Sequence, residues 1–417
     1  MSNLFFVALM IGASALGFVR TLLAGLLLSQ DQFGLYTAVI GAVALAGMMV
    51  SFGIVEATTK LYPRLWVAGR IELIWQDATR IALRQGVVIA ALAAGGAVLA
   101  QAGVLNVAVW LVALLGLFVW FQVLMAISAA ILRAVGSVAL LQTFATVRGA
   151  IPLVLVGAVL HHHDWEVAVI AETGAAGLIA AAGLTIVHRR KSRTPQARGG
   201  GSADDKLPRR SNADGRTLYF ANLCSSSIAL GDRALVAALL GPAAGGAYSV
   251  IALLVQSGAL LTGILSQKIG PEIIRAIHQG DSIQVTLERL RFPVMVLAHV
   301  AALALALLIG GQVVSAALAD FLGERGIGVA ALGLGAVLFV LQGFMVVEFV
   351  LIAADNEGVL LAASMAALVV CAAGFAVSYG LTLPLEAYIA SGVAARLAQI
   401  GVLSRGIYRA VARPVPE

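Results

Sequence analysis

Seven charged side chains interrupt otherwise apolar runs of this chain: Arg20, Arg148, Arg233 and Arg396 on the basic side, Glu172, Asp232 and Glu348 on the acidic side. A charge at the centre of a membrane helix costs roughly 2.5–3.5 kcal/mol on the insertion scale. Such residues therefore face a bundle interior or a watery cavity, and they mark function. A guanidinium donates to two oxygens at once, which suits phosphate groups. Arg20, Asp232, Arg233, Arg148 and Arg396 are the candidate substrate-binding residues. Glu172 and Asp232 are candidates for holding a coupling proton or sodium ion, or for releasing the arginines from substrate. Counting about 1.5 Å per residue places Arg20 about 24 Å, and Glu172 and Asp232 about 22 Å, from the cytoplasmic ends of their helices, with Arg148 and Arg396 at about 13 Å. Structural pairing is the competing reading: Arg20 with Asp232, and Arg148 with Glu172. Pro152 cannot donate to the carbonyl of Arg148, so a kink is expected there. Glu348, near a span end, reads as snorkelling to the surface.

The elements that carry these residues follow from composition. Hydrophobic residues make up 61% of the 417 positions and charged residues 12%, about half the charged share of a soluble protein. A soluble enzyme, a disulfide scaffold and a disordered chain are excluded. Apolar segments fall at roughly 4–28, 34–55, 81–101, 105–131, 139–160, 165–187, 217–240, 245–267, 292–315, 327–353, 358–380 and 384–405, each near the about 20 residues that a span needs. The expected fold is all-α and polytopic, with about twelve transmembrane helices. The first run is too long, and lacks the cationic start, for a cleaved signal peptide. Twenty-two of the 27 basic residues lie in the tail and in alternate connections, and only Arg325 lies in the opposite set. That asymmetry puts both termini in the cytoplasm. The net charge of +6 is thus a topology signal, and nucleic acid is not an expected partner.

The opposite connections, among them Ser29–Phe33, His161–Asp164 and Ala319–Gly326, are too short to hold a catalytic domain. His161-His162-His163 sits on one of them, and consecutive residues rarely converge on one metal ion. No phosphate-binding glycine loop is present, so ATP hydrolysis is not expected; with the outward loops this short and no metal-ligand set, no enzyme activity, metal or cofactor is expected. The longest connection, 188–216, is basic and Gly-rich and reads as a flexible cytoplasmic linker. It separates two six-helix halves, 1–187 and 217–417. Segment 56–80, with Trp66 and Trp75 among charges, reads as an amphipathic helix along the inner interface.

The halves match at an offset of 212: Leu27 and Leu28 fall on Leu239 and Leu240, Gly34 on Gly246, Tyr36 on Tyr248, and Arg20 on Asp232. Both halves start on the same side, a parallel repeat that in transporters flanks the substrate path.

The stretches "LGFVRTLLAGLLLSQDQFGLY", "LGDRALVAALLGPAAGGAY" and "KIGPEIIRA" resemble the polysaccharide-flippase (Wzx-type) branch of the multidrug/oligosaccharidyl-lipid/polysaccharide exporter superfamily. The resemblance implies two six-helix lobes around a central cavity with alternating access. Its implied cargo is an undecaprenyl-diphosphate-linked oligosaccharide moved from inner to outer leaflet, in a bacterial inner membrane. Membrane lipids and polysaccharide-assembly proteins would be its partners. The alternatives are an ion-coupled drug or metabolite antiporter of the same superfamily, whose first helix often carries an acid where this chain has Arg20, and a membrane-embedded polysaccharide polymerase or ligase, whose outward loop is missing here.

The charge asymmetry carries a direct test. In a background lacking Cys224 and Cys371, the substitutions Gln32→Cys, Asp164→Cys and Glu324→Cys should each react with an impermeant thiol reagent added outside the cell. Labelling from the cytoplasmic face alone reverses the orientation.

Overall fold

The computed structural model describes residues 3–51, 69–104, 107–134, 138–162, 164–193, 212–278, 322–353 and 356–411, with isolated positions between 58 and 66 and between 300 and 320. Every described element is helical. In chain order these are α1 (Asn3–Leu27), α2 (Gln30–Ser51), α3 (Ile71–Gln101), α4 (Val109–Ala134), α5 (Val138–Val159), α6 (Trp165–Arg193), α7 (Asn212–Leu240), α8 (Pro242–His278), α9 (Val329–Gln342), α10 (Glu348–Ala353), α11 (Glu357–Gly380) and α12 (Leu385–Val411). Nine membrane-crossing helices are present among the described residues by length and hydropathy. With 25 and 37 residues, α1 and α8 also exceed the about 20 that a crossing needs. The chain is a multi-pass membrane protein. Of the twelve expected spans, 292–315 lies outside the described residues.

Helix ends depart from the apolar runs in an instructive way. Instead of starting near residue 81, α3 starts at Ile71, so the second half of the expected interfacial segment belongs to a span. Asp77 and Gln85 are buried, as are Ile74, Ala78, Ile81 and Ile89, which recur every three or four residues. The amphipathic turn therefore continues the helix stripe without a break. The expected linker 188–216 is likewise shortened by helix: α6 runs to Arg193 and α7 starts at Asn212, with 194–211 outside the described residues. In the tenth expected span, a 3₁₀ segment at Gly343–Val347 separates α9 from α10. Asp164 opens α6, its carboxylate accepting the backbone N–H of Glu166 at 2.9 Å, an arrangement that satisfies a first-turn donor.

The described chain falls into two compact units, Met1–Arg20 with Ala42–Tyr219 and Thr21–Gly41 with Phe220–Glu417. In the first, α4 packs along both α3 and α6, and α5 along α6. In the second, α11 packs along α12, and α9 against α8 and α12. Its core includes Tyr248, Ile251, Phe375, Tyr388 and Ile389, with the Phe375 and Tyr388 rings edge to face at 5.1 Å. Lipid tails are as apolar as leucine, so close packing rather than water exclusion holds such helices together.

The tip of the α1–α2 hairpin, residues 21–41, belongs to this second unit and shows the 212-residue repeat in its contacts. A Cβ at Gly34 would overlap the carbonyl oxygen of Pro242, and one at Gly246 would overlap that of Gln30. Gln30 and Pro242 are themselves repeat-related positions, so the two approaches are reciprocal. Between them the Thr37 and Ser249 hydroxyls, again repeat partners, share a hydrogen bond of 2.6 Å. Only glycine allows backbones this close.

An added methyl at this crossing meets backbone that cannot swing aside. Gly34→Ala should lower the thermal stability of the purified protein by about 1–3 kcal/mol, the range for overpacking. Gly157→Ala, which meets nothing within 4 Å, should leave it unchanged. Equal melting curves for the two variants would contradict the close crossing.

Candidate functional site

The charged side chains that the sequence singles out fall into two clusters, one in each unit. In the first unit, Arg20 Nη1 on α1 donates to Glu172 Oε2 on α6 at 3.0 Å. Glu172 is buried at 3% exposure. A buried carboxylate needs a compensating charge and hydrogen bonds, and the guanidinium provides both. Arg148 on α5 is exposed to open space although protein surrounds it on most sides, lies close enough to Arg20 to feel its charge, and makes no ion pair among the described residues. Pro152, buried one turn later, leaves the Arg148 carbonyl without its helical donor. The first unit thus holds two neighbouring guanidiniums, one compensated by Glu172 and one open.

In the second unit, α7, α8, α9, α11 and α12 line a cavity with about 680 Å³ of empty space, part of it open solvent. Its polar lining comprises Asp232, Arg233, Tyr248, Gln342, Arg396 and Gln399, along with Gln256. Asp232 Oδ2 accepts the Tyr248 hydroxyl at 2.8 Å, and Oδ1 accepts the Arg233 backbone N–H at 2.7 Å. Arg233 is 6% exposed, and its Nε and Nη2 find no hydrogen-bond partner among the described residues. Arg396 Nη1 donates to Gln399 Oε1 at 2.6 Å. Gln399 Nε2 in turn donates to Glu348 Oε1 at 3.4 Å. Two guanidiniums and one carboxylate line this cavity, and Glu348, outside the lining, adds a second carboxylate through Gln399.

These partners correct two expected pairings and one placement. Arg20 takes Glu172, not its repeat equivalent Asp232, because α1 and α6 bring those two groups to one level within one unit. Asp232 is occupied instead by Tyr248. The expected Arg148–Glu172 pair is absent for the same reason, and Arg148 is left open. Glu348 does not snorkel; the 3₁₀ segment before it turns α10 so that it meets Gln399 on α12. The expected layer of Arg20, Glu172, Asp232 and Arg233 is divided between the two units.

The sequence reading misses Gln256, Gln342 and Gln399, and it assigns Tyr248 only to the repeat. Amides in apolar helices carry no charge signal. The available clue is spacing, since Gln399 follows Arg396 by three residues and so shares its helix face.

No family model matches the sequence, and no curated protein matches it significantly. The fold is similar to that of solved transporters. One is a transporter of the MOP (multidrug/oligosaccharidyl-lipid/polysaccharide exporter) superfamily from Pyrococcus furiosus, described as having a binding pocket of reverse polarity that suggests a different function (TM-score 0.70, 14% identity, 98% of this chain and 95% of the other). Another is an outward-facing multidrug resistance MATE family transporter (TM-score 0.69, 13% identity, 98% and 94%). A third is a mutant form of the Vibrio cholerae MATE transporter VcmN (TM-score 0.62, 17% identity, 97% and 94%). The chain therefore has the all-helical fold of these membrane transporters.

The two arginines of the first unit should behave differently when removed. Arg20→Ala takes away the ion-pair partner of a buried carboxylate and should cost about 3–5 kcal/mol, seen as a marked fall in membrane abundance. The reversed pair, Arg20→Glu with Glu172→Arg, should recover most of it. Arg148→Ala should leave abundance near wild type. If Arg148→Ala depletes the protein as severely as Arg20→Ala, Arg148 is structural.

Proposed function

We propose that this chain is an alternating-access transporter for an anionic amphiphile, and that Arg148, with Arg20 beside it, receives the acidic group of the cargo. The observation that carries this reading is the open guanidinium of Arg148 in an apolar span, next to an arginine already held by Glu172. An exposed charge at that depth serves a ligand or solvent path better than it serves packing. A cargo oxyanion arriving at Arg148 competes with Glu172 for Arg20. A proton taken up by Glu172 frees Arg20 for the cargo, and its loss returns Arg20 to the carboxylate. That exchange couples cargo movement to an ion through two residues.

Likeness of fold to multidrug transporters in outward- and inward-facing conformations favours the drug or metabolite antiporter; with Arg148 at the site, its cargo would be an organic anion. The second reading is a flippase for undecaprenyl-diphosphate-linked oligosaccharide in a bacterial inner membrane, working beside polysaccharide-assembly proteins. It is favoured by the resemblance of the opening helix pair of each half, and by two guanidiniums close enough for their charges to interact, which suit a diphosphate. Both readings use the same residues. They differ in whether the cargo keeps its lipid tail in the membrane.

Purified protein in proteoliposomes distinguishes them. The antiporter reading expects a proton gradient to accelerate uptake of soluble organic anions. The flippase reading expects translocation of a labelled polyprenyl-diphosphate sugar, scored by accessibility to an external quencher. In either case Arg148→Ala should reduce the rate at least tenfold, about 1.4 kcal/mol on the barrier. Glu172→Gln should transport without responding to the gradient. Transport confined to organic cations and indifferent to Arg148→Ala would refute the anionic cargo.

A further inference from the structure

Arg325 is the one basic residue on the side of the membrane that the charge asymmetry places outside, and none of the chemistry above uses it. It follows the short helical turn at 322–324, and its guanidinium crosses to the α1–α2 hairpin. Nη2 donates to the carbonyl of Gly25, and the guanidinium carbon stands 5.9 Å from the centre of the Phe33 ring. Gly25 lies in the last turn of α1, where carbonyls lack intrahelical donors and carry the negative end of the helix dipole. A cation is the matched partner for that end.

The contact is doubled by Gln30, the first residue of α2. Its Nε2 donates to the Arg325 carbonyl at 3.1 Å and to that of Ala243, in the first turn of α8, at 2.9 Å. Arg325 and Gln30 therefore clasp one another's segments, side chain to backbone in both directions. Nothing in the repeat accounts for the clasp. The positions equivalent to Gln30 and Gly25 are Pro242 and Ala237, and proline has neither an amide side chain nor a backbone donor. The reciprocal glycine crossing belongs to the symmetric frame, whereas the clasp is added on one side only.

We propose that Arg325 and Gln30 are gating residues: they lock the tip of the α1–α2 hairpin against the outer end of α8 and the segment that leads into α9, and their release opens the outer side. This deepens the transporter reading above and rests on it. The lock is made of charge-assisted and amide hydrogen bonds to backbone carbonyls at a helix end. Such contacts exchange readily with water once the ends part, unlike the apolar contacts of the core. Arg325→Lys keeps the charge but loses the planar fork, so it should hold the lock only partly.

Two measurements test the lock, both in a background of Cys224→Ser and Cys371→Ser. The first does not depend on cargo. Ala24→Cys lies at a position that is 0% exposed, and impermeant thiol reagent from outside should label it slowly. Adding Arg325→Ala, or Gln30→Ala as the milder variant, should raise the labelling rate at least fivefold, with Arg325→Lys between. An unchanged rate in both variants overturns the lock. The second replaces the hydroxyl pair 2.6 Å apart with Thr37→Cys and Ser249→Cys, close enough for a disulfide. Oxidation should stop transport and reduction should restore it, while either single cysteine transports throughout. Full transport by the oxidised protein shows a permanent joint and also overturns the lock. If the reduced protein moves no cargo while Arg325→Ala still raises labelling, the transporter reading fails and the lock stands.

Discussion

The backbone-to-backbone crossing of α2 and α8 at Gly34 and Gly246 is the constraint on which this arrangement depends. Two helices cannot come within van der Waals contact of one another's carbonyls if either carries a Cβ at the crossing point. The reciprocal approaches, Gly34 to Pro242 and Gly246 to Gln30, fix the depth and the register of both helices together. That register brings the Thr37 and Ser249 hydroxyls within 2.6 Å, buries Phe33 and Tyr36, and puts Gln30 within reach of the first turn of α8. Membrane helices gain little by excluding water from one another, so a contact of this closeness supplies packing energy and hydrogen bonds that hydrophobicity cannot.

Charge burial is the second constraint, and it sorts the polar residues into two chemistries. In the first unit the charges are unequal: two guanidiniums share a neighbourhood with one buried carboxylate, which leaves Arg148 open and the cluster attractive to an anion. In the second unit the charges balance only when Glu348, behind the cavity lining, is counted, and hydroxyl and amide groups contact the carboxylates: Tyr248 for Asp232, Gln399 for Glu348. Arg233 there is buried at 6% exposure, so an anion reaches it less readily than it reaches the exposed Arg148. Under the proposed function, that difference in exposure directs an anionic cargo to Arg148 and Arg20.

Much of this is legible in the sequence, and what is not has a physical explanation. Eleven of the twelve expected apolar runs fall on described helices, because a bilayer sets a minimum length for a crossing. Counting rise per residue puts Arg20 and Glu172 at one level, and the structure joins them. It does not show that they are partners. Height follows from position along a helix, but which neighbour a side chain faces depends on the packing of α1 against α6, and mean hydropathy carries no azimuth. The same gap explains the expected Arg20–Asp232 pairing: repeat symmetry relates equivalent positions, and equivalent residues touch only where their helices cross, as Thr37 and Ser249 do. Hydropathy also misses the first ten residues of α3, since an amphipathic stripe averages to a polar score. Neutral polar residues such as Gln342 and Gln399 go unremarked because they cost too little in an apolar run to stand out.

The least legible feature is that α1 and α2 each belong to both units. The division falls between Arg20 and Thr21 on α1 and between Gly41 and Ala42 on α2, in mid-helix, where no loop, proline or composition shift announces a boundary. On α1 it separates two contacts of opposite kind. Arg20 is fastened to Glu172 in one unit, and Gly25, five residues or about 7.5 Å further along the same helix, is fastened to Arg325 in the other. A helix of that length transmits axial and rotational displacement with little loss, because stretching or unwinding one turn breaks hydrogen bonds at each residue. If an anion draws Arg20 away from Glu172, the torque on α1 is felt at Gly25 within a turn and a half. If the proposed site and clasp are right, they are adjacent on a single helix, and α1 itself is the shortest connection between them.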